Sequence, residues 1–93
     1  MISRSLECIL TTLPDGSGVL LHLTTKRYLS LNRTGVFVWL ALEHGPCRPV
    51  DLVAAVCARF DVMVEDANRD VADFTDALAA EGAVIVLGQT PPE

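Results

Sequence analysis

The sequence predicts an α+β protein in which a three-stranded antiparallel β-meander is followed by three helices. Three observations indicate this order. Alternating or β-branched residues, interrupted by turn-forming residues, fill the first third of the 93-residue chain. Apolar residues recur at helical spacing through the remaining two thirds. Glycine or proline follows two of the three helical stretches, as is typical where helices end. The length fits a single domain, residues 1–93.

The three predicted strands cover residues 5–13, 19–24 and 28–31. The first strand ends at the sequence PDGSG, in which Pro, Asp and Gly each favour a hairpin turn. Side chains alternate between the two faces of a strand, so Leu29 and Leu31 should share one face of the third strand. The tyrosine and the serine of that strand should then share the other face.

The first helix is predicted over residues 33–43, with Asn32 as its N-cap and with Gly45 and Pro46 as its stop. The run of residues 36–42 is apolar throughout. A helix that is apolar on every side is usually contacted from more than one direction. We therefore expect this helix to be central.

The second helix is predicted over residues 49–59, with proline in its first turn. The third is predicted over residues 65–81 and should end at Gly82. The aliphatic stretch 83–87 could form a short strand, and we expect residues 87–93 to be a frayed tail.

Charge and hydropathy narrow the classes of partner. The chain has 7 Lys and Arg against 12 Asp and Glu, which gives a net charge of −5 without a basic cluster. Nucleic acid and anionic membranes are therefore poor candidates, because both require concentrated positive charge. The N-terminus lacks the apolar core of a signal peptide, so we expect a cytoplasmic protein. A hydrophobic content of 51% exceeds what a small core needs and is typical of a partner-binding face.

No catalytic, metal-binding or cofactor-binding pattern is present in the sequence. Cys8, Cys47 and Cys57 lack C-x-x-C spacing and are interpreted as reduced thiols. His22 and His44 lie on different predicted elements, without Cys or Glu at ligand spacing. We therefore predict a protein that is not an enzyme and that holds neither a metal nor a cofactor.

One family shares the order and spacing of many of these residues. The shared positions fall within about residues 17–86 and are Tyr28, Leu31, Asn32, Gly35, Trp39, Leu40, Leu52, Asp70, Val71, Phe74, Leu78 and Gly82. In this pattern the chain resembles the PqqD family, the winged-helix-like recognition elements that bind leader peptides of ribosomally made, modified peptides. A free-standing chain of this length looks most like the recognition protein of a lasso-peptide pathway. The same fold also serves in pyrroloquinoline quinone synthesis.

The resemblance implies that a leader peptide adds to the third strand as a fourth strand and packs against the third helix. The implied peptide-binding residues are Arg27, Tyr28, Leu29, Ser30 and Leu31 on the strand, and Ala67, Asp70, Val71, Phe74 and Leu78 on the helix. On spacing alone, the apolar stripe of the third helix is more typical of plain core. Asp66, Asp70 and Asp73 form an acidic row that could receive a Lys or Arg of the peptide, although a solvated helix face is the simpler interpretation.

The resemblance further implies a leader peptidase of cysteine-protease type and an ATP-dependent cyclase as partners. The sequence leaves other functions open. The chain could be a PqqD-type peptide chaperone for pyrroloquinoline quinone synthesis, a scaffold subunit, or a winged-helix regulator, which the acidic balance disfavours. The sequence leaves open the recognition motif of the leader, the product and the oligomeric state, including self-pairing through the edge strand.

Overall fold

The computed structural model describes residues 1–86 and has the predicted α+β architecture. Along the described chain the elements are β1 (Ile2–Arg4), β2 (Cys8–Thr12), β3 (Gly18–His22), β4 (Tyr28–Leu31), α1 (Arg33–Glu43), α2 (Pro49–Arg59), α3 (Val64–Ala80) and β5 (Val84–Val86). The meander and the three helices of the prediction are confirmed. The predicted tail, residues 87–93, lies outside the described residues, as does the last residue of the predicted strand 83–87.

The meander is an antiparallel sheet with the order β2-β3-β4. One row across it joins Leu10, Leu20 and Leu29 on the face that packs against the core. The first strand is shorter than predicted and begins at Cys8, because Ser5 instead turns the chain. The Ser5 hydroxyl accepts a hydrogen bond from the Glu7 N–H, and the Ser5 N–H donates to the Ala83 carbonyl.

A second sheet, which the sequence analysis did not predict, joins the two ends of the described chain. β1 pairs with β5 in antiparallel register, with Ile2 opposite Val86 and Arg4 opposite Val84. On its other side, Ile2 exchanges two backbone hydrogen bonds with Cys47, of 2.6 and 2.9 Å. Three-residue strands carry too few residues to show a period, so only their pairing partners reveal them.

Helix α1 begins as predicted and lies against α2, β1 and β4. The Asn32 side chain caps it by accepting a hydrogen bond of 2.8 Å from the Gly35 N–H. Trp39 is fully buried at the centre of the core. The apolar run is nevertheless not covered on every side, because Leu40 is 42% exposed.

The N-cap residues of α2 and α3, Arg48 and Met63 respectively, form no side-chain capping hydrogen bond. Acidic residues in their first turns, Asp51 in α2 and Glu65 in α3, complement the helix dipoles instead. Helix α3 starts one residue earlier than predicted and packs on α2 and β5. It ends at Ala80 with Glu81 as its C-cap, and the following Gly82 has a φ of 73°, a left-handed conformation that glycine adopts without strain.

Candidate binding groove

Strand β4 and helix α3 border a seam that is held at two points. At one point, the Arg27 guanidinium, just before β4, forms an ion pair of 3.1 Å with Glu81, just after α3. At the other, Phe74 of α3 lies against Gly35 near the start of α1. A Cβ atom added to Gly35 would lie 2.9 Å from the Phe74 ring and 3.3 Å from the Cβ of Leu31. The seam therefore follows β4 along its whole length, with an ion pair at one end and an aromatic ring at the other.

The outer edge of β4 carries backbone groups that do not bond to β3. In antiparallel strands, residues of alternate pairs exchange hydrogen bonds, and the residues between them direct their N–H and C=O groups away. The His22 N–H donates to the Arg27 carbonyl at 2.9 Å, which identifies that pair as a bonded one. The register then makes Leu20–Leu29 and Gly18–Leu31 bonded pairs as well. Tyr28 and Ser30 consequently direct their backbone N–H and C=O groups to the edge, where no strand among residues 1–86 pairs with them.

A cavity of about 330 Å³ opens at the Phe74 end of the seam. Its lining residues are Asn32, Thr34, Gly35 and Val38 of the α1 region, and Asp70, Val71, Asp73 and Phe74 of α3. The side chains of Val38, Val71 and Phe74 give this cavity an apolar lining. The exposed carboxylates of Asp70 and Asp73 add negative charge. Such a site suits an apolar side chain that has a cationic group beside it.

At the ion-pair end of the seam there is almost no free space. The cavity beside Leu29, Arg27 and Glu81 measures only about 10 Å³, too little for a side chain. Room for a ligand side chain is therefore concentrated beside Phe74.

The structure divides the residues predicted on α3 into two groups. Ala67, Val71 and Leu78 are buried, with exposures of 0%, 3% and 1%, and belong to the hydrophobic core. Phe74 is half-buried and Asp70 is exposed. Of the five, Asp70, Val71 and Phe74 meet at the cavity, whereas Ala67 and Leu78 do not line it.

The residues predicted on the strand are divided by the pleat. Leu31 is buried and Leu29 half-buried, and both face the core. Tyr28, 71% exposed, and Ser30 face the opposite side of the sheet from the helices. These two residues therefore offer backbone groups to the edge, while their side chains lie on the outer face. Arg27 contributes the ion pair with Glu81.

The α1 wall of the cavity was missed by the sequence analysis. Thr34 and Val38 are one turn apart and line it together with Gly35. One signal was present in the sequence, since a glycine inside a helix weakens it and is usually retained for a packing reason. Here that reason is the close approach of Phe74.

The thiol nearest to the seam is poorly suited to chemistry. Burial raises the pKa of Cys8, which keeps the thiol protonated and weakens it as a nucleophile. Within residues 1–86, no three His, Cys, Asp or Glu side chains are grouped so as to hold a metal ion. None of the helices in that part of the chain is long and apolar enough to cross a membrane.

One protein-family model and two solved structures with bound leader peptides are similar to this chain. The family model described as coenzyme PQQ synthesis protein D (PqqD) matches residues 17–84. The structure of TbiB1 in complex with the TbiA(beta) leader peptide is similar over 96% of this chain and 99% of that one, with 34% identity and a TM-score of 0.77. The structure of lasso peptide synthetase B1 complexed with the leader peptide covers 91% of this chain and 98% of that one, with 23% identity and a TM-score of 0.73. Comparison with curated proteins found no match.

Proposed function

The chain belongs to the PqqD family, and we propose that it binds the leader region of a ribosomally synthesised precursor peptide by strand addition to β4. The observation that carries this proposal is the unpaired edge of β4 beside an apolar cavity. It occurs in a chain that is 34% identical to a protein solved with a leader peptide. The finer assignment, a lasso peptide as the product, is also part of the proposal. The fold that this chain shares with a lasso peptide synthetase B1 is consistent with it.

The edge of β4 fixes the position of the peptide but contributes little net affinity. Tyr28 and Ser30 offer two N–H donors and two C=O acceptors to an added strand. Each backbone hydrogen bond contributes about 0.5–1.5 kcal/mol net, whereas ordering each peptide residue costs about 1–2 kcal/mol. The net free energy of strand pairing alone is therefore near zero, and the pairing serves to set the direction and register of the peptide.

Affinity comes instead from apolar side chains that enter the cavity. Burying one aliphatic or aromatic anchor contributes about 1.5–3 kcal/mol. The cavity beside Phe74, about 330 Å³, has room for one large side chain. The carboxylates of Asp70 and Asp73 lie at this cavity and favour a Lys or Arg next to the anchor. Because both carboxylates are exposed, they discriminate between peptides more than they add affinity.

We infer a tethering role without catalysis. A bound leader raises the local concentration of the attached core sequence near an enzyme that binds the core weakly. The proposed enzymes are a leader peptidase of cysteine-protease type and, after it, an ATP-dependent cyclase, and the proposed compartment is the cytoplasm.

Fluorescence polarisation tests the proposal with a labelled leader taken from the precursor gene nearest to this one. Ser30→Pro removes an N–H that points to the free edge and leaves the bonded pairs of β4 with β3 in place. We expect saturable binding by the wild type, a loss of at least about tenfold in affinity with Ser30→Pro, and a change of at most about twofold with Ser30→Ala.

A second measurement separates loss of the edge from loss of the fold. Leaders that are N-methylated at single backbone positions should bind the unchanged protein weakly at alternate positions only, since alternate N–H groups face β4. Strand addition would be ruled out if N-methylation were tolerated at every position of the leader. It would also be ruled out if the wild type did not bind the leader at tens of micromolar protein, with the peptidase absent or present.

A PqqD-type chaperone for pyrroloquinoline quinone synthesis is the second candidate, because the matching family model carries that description. The two candidates differ in the peptide that they bind. Competition between the neighbouring leader and the quinone precursor peptide distinguishes them, and the tighter ligand identifies the pathway.

A further inference from the structure

A second cleft lies on a different face of α1, between α1 and the end of α2. It has a volume of about 580 Å³, and its lining includes Arg33, Phe37, Leu40, Arg59 and Phe60. We propose that this cleft is the docking surface for an acidic segment, bearing an apolar side chain, of the protein to which the bound peptide is delivered. This inference rests on the proposed function, since it concerns the receiver of the same peptide.

The floor of the cleft is apolar and only partly covered. The rings of Phe37 and Phe60 meet edge to face, with their centroids 5.6 Å apart. Leu40 is 42% exposed beside them, although it lies within the apolar run of α1. Three large apolar side chains that converge on one open cleft are characteristic of a contact surface.

The rim of the cleft is basic, in contrast to the net charge of −5 of the chain. The Arg59 guanidinium lies 5.2 Å from the centroid of the Phe60 ring, and Arg33 donates from its Nε to the Asp15 carbonyl at 3.0 Å. Within the described part of the chain, Arg27, Arg48 and Arg69 form ion pairs with carboxylates, whereas Arg33 and Arg59 form none.

Asp15 offsets part of this positive charge without forming an ion pair among the described residues, since its pKa is lowered chiefly by hydrogen bonds from Ser17 and, to a lesser extent, by the charge of Arg33. The Asp15 side chain accepts hydrogen bonds of 2.5 and 3.0 Å from the Ser17 hydroxyl and N–H, and Arg33 bonds its carbonyl rather than its carboxylate. Asp61, next to Phe60, is exposed. Two arginines around an apolar floor are complementary to an acidic, apolar partner, and such complementarity speeds and orients association.

The position of the cleft permits a partner and a peptide to bind together. Successive helical residues are turned by about 100°, so Thr34 and Val38 lie roughly 110° around α1 from Arg33, Phe37 and Leu40, on a different face of the helix. The first pair lines the cavity beside α3, and the other three line the second cleft. A protein docked in the cleft therefore leaves the β4 edge and the Phe74 cavity open, as tethering requires.

The test uses the peptidase encoded nearest to this chain as the probe, with the full-length protein. Biolayer interferometry measures peptidase binding, and fluorescence polarisation measures leader binding, by each variant. The double variant Arg33→Glu/Arg59→Glu should bind the peptidase at least about tenfold more weakly, and Leu40→Ser about fivefold more weakly. Binding by the wild type should also weaken as NaCl rises from about 50 to about 500 mM. Leader affinity should change by no more than about twofold in both variants.

The matched control is Arg48→Glu/Arg69→Glu, which changes the net charge equally at exposed arginines outside the cleft. We expect its peptidase affinity to stay within about threefold of the wild type. The test variant should fold, because Arg33 begins α1, where the helix dipole favours an acid, and this offsets the unfavourable acid at Arg59, the end of α2.

Three outcomes would overturn the docking surface. These are unchanged peptidase binding by the Arg33/Arg59 variant, equal loss in the control, and wild-type self-association that the variant abolishes in sedimentation velocity. The last would identify a second copy of this chain as the occupant. Failure of the proposed function has a different signature, namely absence of leader binding by the wild type.

Discussion

The two rows of side chains along α3 differ in what they contact. The inner row, Ala67, Val71 and Leu78, is buried against the rest of the core. The outer row contains the exposed Asp70 and Asp73 and the half-buried Phe74. The inner row thus holds the helix in place, and the residues of the outer row line the open cavity. One helical period contains both rows, so a residue's role depends on its exposure more than on its type.

Phe74 lies on the boundary between these rows. Its ring touches Gly35, packs on the core and lines the open cavity. It should therefore serve stability and binding together, in proportions that substitution can measure.

The largest effect is expected from Leu78→Ala, which empties an inner-row position. Leu78 is 1% exposed, and truncating a buried leucine usually costs about 2–5 kcal/mol. Urea unfolding followed by circular dichroism measures the free energy of unfolding. The control is Ala79→Ser, at the exposed next position, which should stay within about 0.5 kcal/mol of the wild type. A loss for Leu78→Ala as small as that of the control would mean that the inner row is not structural.

Phe74→Ala should lower leader affinity more than it lowers stability. Removing an anchor-pocket aromatic typically costs about 2 kcal/mol of binding, or roughly 30-fold in Kd. Because the ring is only half-buried, we expect a smaller loss of unfolding free energy than for Leu78→Ala. Fluorescence polarisation and urea unfolding on the same preparation give both numbers. If stability fell while leader affinity held, Phe74 would belong with the inner row.

Gly35→Ala should displace the Phe74 ring without removing it. The new methyl group would lie 2.9 Å from the ring, closer than a Cβ contact allows. Alanine also favours the helix by about 0.5–1 kcal/mol, so we expect little net change in stability and a loss of about fivefold in leader affinity. Titration of the labelled leader checks the affinity. The double variant Gly35→Ala/Phe74→Ala should bind the leader no more weakly than Phe74→Ala alone, because the ring that the new methyl group would displace is then absent.

The smallest effect is expected from Glu81→Gln, which breaks the ion pair at the closed end of the seam. The Arg27 side chain is 71% exposed, and such pairs contribute at most about 1 kcal/mol. We expect unfolding free energy within about 0.5 kcal/mol of the wild type and leader affinity within about threefold, as urea unfolding and polarisation will show. A tenfold change in affinity would instead indicate that the peptide reaches this end of the seam.

The sequence predicted secondary-structure elements well where the pattern of apolar residues was long enough to show a helical or strand period. Helices α1 and α2 and strand β4 have the predicted bounds and α3 lies within a residue of them at each end, whereas β2 begins three residues later than predicted. The Asn32 cap and the stop at Gly82 were also predicted, because each acts through its immediate neighbours. The pairing of β1 with β5 was not, since each strand has only three residues and its partner lies at the other end of the described chain.

The candidate groove was predicted only in part. The edge position of β4 followed from the order of the strands, and Phe74 followed from family resemblance. The helical spacing of Ala67 and Leu78 alone indicated the core in which they are buried, whereas their assignment to the groove came from the family resemblance. The α1 wall of the cavity and the ion pair of Arg27 with Glu81 did not follow from the sequence. Each depends on how α3 is set against elements distant in sequence.

By itself, the sequence determined the elements of this protein, because propensity, period and capping act over a few neighbouring residues. It also indicated that β4 lies at the edge of the sheet. Only the tertiary structure decided which side chains of α1 and α3 are available to a ligand. Burial depends on the packing of surfaces distant in the chain, and a one-dimensional period records the spacing of apolar residues but not what covers them. That difference separates Leu78, a core residue, from Phe74 and Leu40, which lie at two open clefts on different faces of α1.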